Sequence, residues 1–500
     1  MINCSRWFVL LITFFLFFSQ SIRSQSDLSK LVKIGLEQCY NFEWSEAEKT
    51  FQKVINRFPE KPHGYQYKAS IYLWYYLGSN NQTDLETFTI SSDLAIEKSE
   101  SLLNSSPEDA NIMLLIGTNY TYRAIAFTKS GNLVDAVFAS KKSESFLSEC
   151  IKRNPQLNDA YLGLGLYYFA MSQVPGAFKW VLQIAGMSGD RETGLDYIKI
   201  TAEKGSLLKI EAQYYLSQIL SEILGDYKTS SEYLKKLNRN YSNNLLFSYA
   251  LAVVKIKQRD LTEAKRLLSK IIKTKNEKFS KIISFSNFLM GDIHFRNNQF
   301  SEAISYYKSF LESAPDSDYK GIANFRIATS YEILNDRSSS QKYFQLTGEG
   351  NPDIEDDIYA KRKGGIYSKR TMAENEKKIV IFGNMIEAGK FQEANDSLKK
   401  IIPLIKSQKL KSEALYLLSE SSYWLGKENE SYTYAMDVIK LNNTEESWVV
   451  PYCYFNIARI HKKNGRIKEM NEQIEKIEDF NDYDYFNRLE NLIYSLTLGT

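Results

Sequence analysis

The sequence predicts an all-α fold, a right-handed α-α superhelical solenoid of helical hairpins, on three observations. Only 9 Pro and 24 Gly punctuate 500 residues, while Tyr (34) and Phe (28) are plentiful. That composition favours long uninterrupted helices with aromatic packing over strands and turns. A short pattern recurs along the chain: a turn, a polar residue, an apolar or aromatic residue, two more residues, then Ala. It reads 42-FEWSEA-47, 131-GNLVDA-136, 259-RDLTEA-264, 298-NQFSEA-303 and 389-GKFQEA-394. Between these copies apolar residues return at helical spacing. A charged fraction of 25% and a hydrophobic fraction of 43% are ordinary for a folded, soluble chain.

Residues 1–24 have the form of an export signal: Arg6, an apolar run from Trp7 to Phe18, then small residues at Ser19, Ser21 and Ser24. Cleavage is expected near Ser24. The run is shorter than the roughly 20 residues that span a bilayer as a helix, which leaves cleavage favoured and retention as an anchor open. Cys4 precedes the apolar run, whereas a lipid-modified cysteine follows it, so no lipid anchor is expected. The expected location is exported, periplasmic or extracellular, with a bacterial envelope preferred. No integral membrane segment is expected after cleavage.

The clearest hairpin is 289-LMGDIHFRNNQFSEAISYYKSFLESAP-315. Small residues at Gly291 and Ala303, on its two helices, allow the close approach of packed helices, roughly 8 to 10 Å between axes. Phe300 closes the turn onto the first helix. Tyr307 and Phe310 form the stripe that packs on the next hairpin, and Pro315 ends the second helix. This spacing resembles the tetratricopeptide repeat, a helix pair of about 34 residues. Repeats begin near 28, 245, 284 and 375, with weaker copies near 211, 321, 412 and 451. Between 62 and 175 the period is loose, but helical stripes persist in 67-YKASIYLWYYL-77, 112-IMLLIGTNYTYRAIAF-127 and 160-AYLGLGLYYFAM-171. The reading is therefore an array over 25–347, a linker or irregular helix over 348–374, and further repeats over 375–500. The linker begins 348-GEGNPDIEDD-357 and contains 361-KRKGG-365, charges expected to form a solvated face.

Gly189 and Gly194 in 186-GMSGDRETGLDYI-198 have the spacing of half a phosphate-binding loop. Such a loop needs a preceding strand and Lys-Ser/Thr after the second Gly. Here Leu195 and Asp196 follow, and Asp190 and Glu192 would repel phosphate, so no nucleotide is expected. With Gly189-Asp190 as a repeat turn, Gly194 takes the slot held by Ala elsewhere. The longer run 163-GLGLYYFAMSQVPGAFKWVLQIAGMSGDRETGLDYI-198 is similar to the signature of the family containing the inclusion-body-clearance protein and its tetratricopeptide-repeat relatives. Residues 186–195 match that signature with one change, Met187 for Phe. The resemblance covers about residues 36 to 350 and implies the helical repeat fold, with no catalytic residue. The family's eukaryotic members are intracellular and this chain has an export signal, so their cellular role does not transfer.

The formal charge of +3 offers no electrostatic case for nucleic acid. Cys39, Cys150 and Cys453 form no disulfide framework and read as buried thiols. His63, His294 and His461 are far apart and read as structural. No Cys or His pair has metal-ligand spacing, and no catalytic residue, cofactor or metal is assigned.

Binding is the expected activity, through the concave wall that first helices build. Candidate partner-binding residues are Tyr249, Phe288, Asp292, Phe295, Arg296, Tyr416, Glu420, Tyr423, Arg459, Lys462 and Lys463. They lack the Lys and Asn clamp by which some tetratricopeptide proteins hold a chaperone's C-terminal carboxylate. A protein or extended peptide is the expected partner. The alternative is a carbohydrate-binding helical protein using Tyr72, Trp74, Tyr75 and Trp424 as stacking platforms. A third reading, a polysaccharide-cleaving helical barrel, requires two carboxylates facing one cleft.

Overall fold

The computed structural model describes residues 26–174, 186–314, 318–441 and 445–498. Among them the regular elements are helices, paired into antiparallel hairpins. The stretch expected to be an export signal and Pro315 lie outside the described residues.

The chain divides into two compact units. One comprises the residues up to Ser217 together with Glu232–Phe247 and Asn276–Ser280; the other comprises Gln218–Ser231, Ser248–Lys275 and Lys281–Thr500. The early hairpins are α1 (26–40) with α2 (Trp44–Arg57), α3 (His63–Ser79) with α4 (Gln82–Ser105), α5 (Ala110–Ser130) with α6 (Leu133–Arg153), and α7 (Ala160–Ser172) with α8 (Arg191–Lys204). Next come α9 (Lys209–Glu222) with α10 (Tyr227–Asn240), α11 (Leu245–Lys257) with α12 (Leu261–Ile272), α13 (Ser280–Arg296) with α14 (Phe300–Ser313), and α15 (Lys320–Ile333) with α16 (Arg337–Leu346). A single helix α17 (Glu355–Tyr367) follows, then α18 (Glu374–Glu387) with α19 (Phe391–Ile401), α20 (Gln408–Trp424) with α21 (Glu428–Leu441), α22 (Val449–Lys463) with α23 (Ile467–Glu478), and a final helix α24 (Phe486–Thr497). The loosely periodic region before residue 175 is thus hairpin throughout its described part, with longer helices.

The recurrent motif has one backbone cause. In every copy of the motif the turn residue lies in the left-handed region: Phe42 at φ 65°, Gly131 at 79°, Arg259 at 60°, Asn298 at 59° and Gly389 at 80°. Glycine and asparagine reach that region at least cost. Where the next residue is aspartate its side chain caps the second helix: the Asp260 carboxylate accepts the Glu263 N–H at 3.3 Å and Asp336 accepts that of Ser339 at 3.0 Å. The third residue folds back: the Phe300 ring lies 5.6 Å from Phe295, edge to face.

Small residues set how closely the helices cross. A Cβ on Gly194 would lie 2.6 Å from the Phe169 amide nitrogen and 2.9 Å from the Gly165 carbonyl oxygen, so α7 and α8 meet glycine to glycine. Gly194 therefore holds the small-residue slot of a hairpin, and Asp190 caps α8 by accepting the Thr193 N–H at 2.7 Å. At Gly291 a Cβ would lie 2.7 Å from the Tyr307 ring. Tyr307 is fully buried and fills the groove of its own hairpin, while it also touches the following one through Arg326.

The charges of 348–374 do not form a solvated face. In α17 the Lys363 ammonium is 5% exposed and meets Glu446 at 2.7 Å and Glu413 at 3.4 Å. Arg362 reaches Glu446 at 2.8 Å and donates from Nε to Asp484 at 3.0 Å. On the acidic side, Asp357 accepts the backbone N–H of Ile322 at 2.8 Å and of Asn351 at 2.9 Å. The segment is an integral helix of the second unit, held by charges whose partners are up to 133 residues away.

Candidate functional site

In the first unit the buried polar feature is Glu211 of α9. Its carboxylate is 4% exposed and accepts the Tyr122 hydroxyl proton at 2.9 Å. Burial raises the Glu211 pKa from 4.5 to about 7 against the opposing hydrogen bond from Tyr122. An adjoining cavity of about 30 Å³, lined by Trp44, Trp74, Glu211 and Tyr214 among others, has room for a water molecule or two and none for a sugar ring. The aromatics proposed as sugar platforms here are already engaged. Tyr75 lies in the core against Trp44 at 5.6 Å, Trp74 stacks on Tyr215 at 6.4 Å, and the Tyr72 hydroxyl donates to Glu48 at 2.6 Å.

In the second unit the candidate partner-binding residues separate into two groups. Phe288 and Phe295 belong to the hydrophobic core at 6% and 9% exposure. Asp292 is also buried, accepting the Tyr307 hydroxyl at 2.6 Å and pairing with Arg326. Burial puts these three out of a partner's reach. Tyr249 is half-buried on α11.

Of the remaining candidates, Arg296, Glu420, Tyr423, Arg459 and Lys463 lie near the turn ends of first helices. Arg459 of α22 lies over the Tyr423 ring at 4.1 Å and the Phe455 ring at 5.2 Å, and it pairs with Glu420. Its Nε has no hydrogen-bond partner among the described residues. Glu420 also accepts the Trp424 indole N–H at 3.2 Å, and Tyr423 meets Trp424 edge to face at 5.7 Å. Trp424 is 44% exposed, stacks on Phe391 at 5.7 Å and carries the Arg259 guanidinium at 4.4 Å. Lys463 extends the edge, pairing with Glu428 at 2.7 Å. The result is a continuous ladder from Arg259 through Trp424, Tyr423 and Arg459 to Glu420.

Two residues at this edge were not legible in the sequence. Arg259 stands in a left-handed turn position that other copies give to glycine, asparagine or phenylalanine, and its Nε donates to the Ile386 carbonyl at 3.1 Å. Glu387 is half-exposed, 3.0 Å from Arg296 and 3.8 Å from Arg259. Surrounding protein disfavours its charge, but Arg296 and Arg259 overcome this and hold its carboxyl below the ordinary range. Tyr416 and Lys462 sit elsewhere, against the final helix: Tyr416 belongs to its apolar cluster, and the Lys462 ammonium donates to the carbonyls of Leu496 and, at 3.2 Å, Leu498.

The histidines and thiols are structural in placement. His294 stacks on Tyr306 at 5.3 Å, and burial lowers its pKa. Cys39, Cys150 and Cys453 are buried, and burial pushes the Cys150 thiol up to about 12. Among the described residues no three His, Cys, Asp or Glu side chains stand close enough to hold a metal ion, and no helix is long and apolar enough to cross a membrane.

A family model described as Iml2/Tetratricopeptide repeat protein 39 matches residues 140–319. Over that span the chain resembles this family, and its elements are helical hairpins of the tetratricopeptide type. The matched span includes the α7–α8 hairpin, where Gly165 and Gly194 meet. No curated protein matches the sequence. Among solved structures the chain is similar to yeast Tom70, with 14% identity, 91% of this chain and 100% of that chain covered, and a TM-score of 0.29. It is also similar to the P58(IPK) tetratricopeptide domain, with 12% identity, 94% and 97% covered and a TM-score of 0.21. For human IFIT1 the values are 14%, 83% and 94%, and 0.27.

Proposed function

We propose that this protein is an exported, non-enzymatic scaffold that binds a protein or peptide on the concave side of its second unit, at the ladder of Arg259, Trp424, Tyr423, Arg459 and Glu420. The observation that carries this reading is the composition of the ladder. Arginine and large aromatics dominate the binding energy of protein interfaces because they combine broad apolar contact with directional hydrogen bonds. Arg459 is preorganised by two rings and a carboxylate, which lowers the cost of ordering it on binding. Export rests on the amino-terminal pattern around Arg6 and the apolar run that follows.

Retention of envelope proteins by the immobilised mature chain tests the reading. A partner retained by wild type is expected to bind about ten-fold or more weakly to Arg459→Glu or Trp424→Ala, with helical content by circular dichroism retained. Retention indifferent to both substitutions would sink it. So would binding of the chain to a glycan array that disappears in Trp424→Ala.

A further inference from the structure

The final helix α24 is not part of a hairpin. It lies along first helices of its own unit and is gripped at both ends. At its start the Glu355 carboxylate of α17 accepts the backbone N–H of Asn487 at 2.7 Å and of Arg488 at 3.3 Å, and Asp356 pairs with Arg488 at 2.7 Å. At its end Lys462 of α22 donates to the last carbonyls. A carboxylate at the positive end and an ammonium at the negative end of a helix dipole both stabilise the docked helix and fix its direction. The 12 residues of α24 span about 18 Å, so the two charges also read its length. Between them the apolar stripe of Leu489, Leu492, Ile493 and Leu496 packs on Tyr452 and Phe455 of α22, with Tyr416 of α20 beside them.

The seat is shallow. Leu489 is the one residue of α24 that is fully buried, whereas Leu492, Ile493 and Leu496 remain partly exposed. The second helices of the repeats, by contrast, bury several side chains each, as α14 does with Phe300, Ala303, Ile304, Tyr307 and Phe310.

We propose that this seat is a receptor for an amphipathic helix of about three turns, that α24 occupies it in cis, and that a protein partner presenting a helix with the same leucine and isoleucine stripe displaces α24. The proposal rests on reading the first-helix side of this unit as a partner surface, and it names the partner's chemistry. A resident helix docked about nine-tenths of the time lowers the apparent affinity for an added one by about ten-fold.

The test uses the full chain and a fluorescently labelled peptide of residues 482–498, followed by anisotropy. Leu492→Asp with Ile493→Asp strips the stripe from the resident helix and leaves the seat intact. This variant is expected to bind the peptide about ten-fold or more tightly than wild type does, to exchange its amides over 486–497 faster, and to lose the gain when Lys462→Glu is added. Equal peptide affinity in wild type and a variant whose helix is released overturns the proposal, as does binding indifferent to Lys462→Glu. Should the double change melt the repeats, Leu489→Ala on the same helix is expected to shift affinity in the same direction. Melting by that change as well overturns displacement, because α24 is then part of the core. A wild-type dimer that Leu492→Asp/Ile493→Asp dissociates assigns the seat to a second copy and overturns occupation in cis. Partner retention lost in Arg459→Glu, with peptide binding absent in every variant, overturns this inference and leaves the broader one standing.

Discussion

Glu211 is a carboxyl group whose pKa is set chiefly by its surroundings. It is raised from 4.5 to about 7 by burial, so between those values the folded state keeps a proton that the unfolded chain has released. Stability therefore falls as pH rises through that window; the penalty is absent below about 4.5 and complete above about 7. Wild type is expected to lose up to about 3 kcal/mol between pH 4.5 and 8, read by urea denaturation, and Glu211→Gln to remove that slope. An identical pH profile in the variant would show that Glu211 is not the titrating group. Gly194 is governed by space. Any Cβ there meets main-chain atoms of α7, which cannot rotate away, so Gly194→Leu is expected to cost about 3 kcal/mol or more. An unchanged denaturation midpoint together with weakened nucleotide binding would restore the phosphate-loop reading of residues 189–194.

At the scale of elements, α17 shows what a charged helix does without a hairpin partner. Lys363 and Glu446 are 5% and 0% exposed and 2.7 Å apart. Stranding a buried charge costs about 3 to 5 kcal/mol; without Lys363, Glu446 keeps Arg362 at 2.8 Å and Lys409 at 3.0 Å, whereas Glu413 loses its ion pair. Lys363→Met is therefore expected to cost less than that, about 1 to 3 kcal/mol, measured by denaturation. Lys363→Met with Glu446→Gln should lose clearly less than the two single changes summed, because neither charge is then left alone. Additive losses would mean that the pair is not coupled. Burial opposes ionisation of Glu446, and Lys363 and Arg362 overcome it, leaving its carboxyl at about 2. Its contribution is thus present above about pH 4.5 and lost as pH falls toward 2, a loss that Glu446→Gln should remove from the acid limb of the unfolding curve. The helices themselves were legible as elements: their turn, cap and aromatic positions are local, within six residues, and the repeat starts near 245, 284 and 375 fall within a few residues of helices α11, α13 and α18. The polar contacts of α17 were not, since they join residues up to 133 positions apart.

Across the whole molecule, the sequence by itself determined the class of fold, the hairpin as its unit and the glycine contact at Gly194. Those properties follow from periodicity, from the left-handed turn and from side-chain size, all of which act over one hairpin. It also pointed to Glu420, Tyr423 and Arg459, because residues one turn apart on a first helix share a face. Only the tertiary structure decided that Phe288 and Phe295 are core, since an aromatic stripe looks the same whether a neighbouring helix or a partner covers it. Only the tertiary structure recruited Arg259 and Glu387 beside them, and only it seated α24 between Glu355 and Lys462. Those contacts join side chains far apart in the chain, and a repeat period carries no record of which distant charges the packed helices bring together.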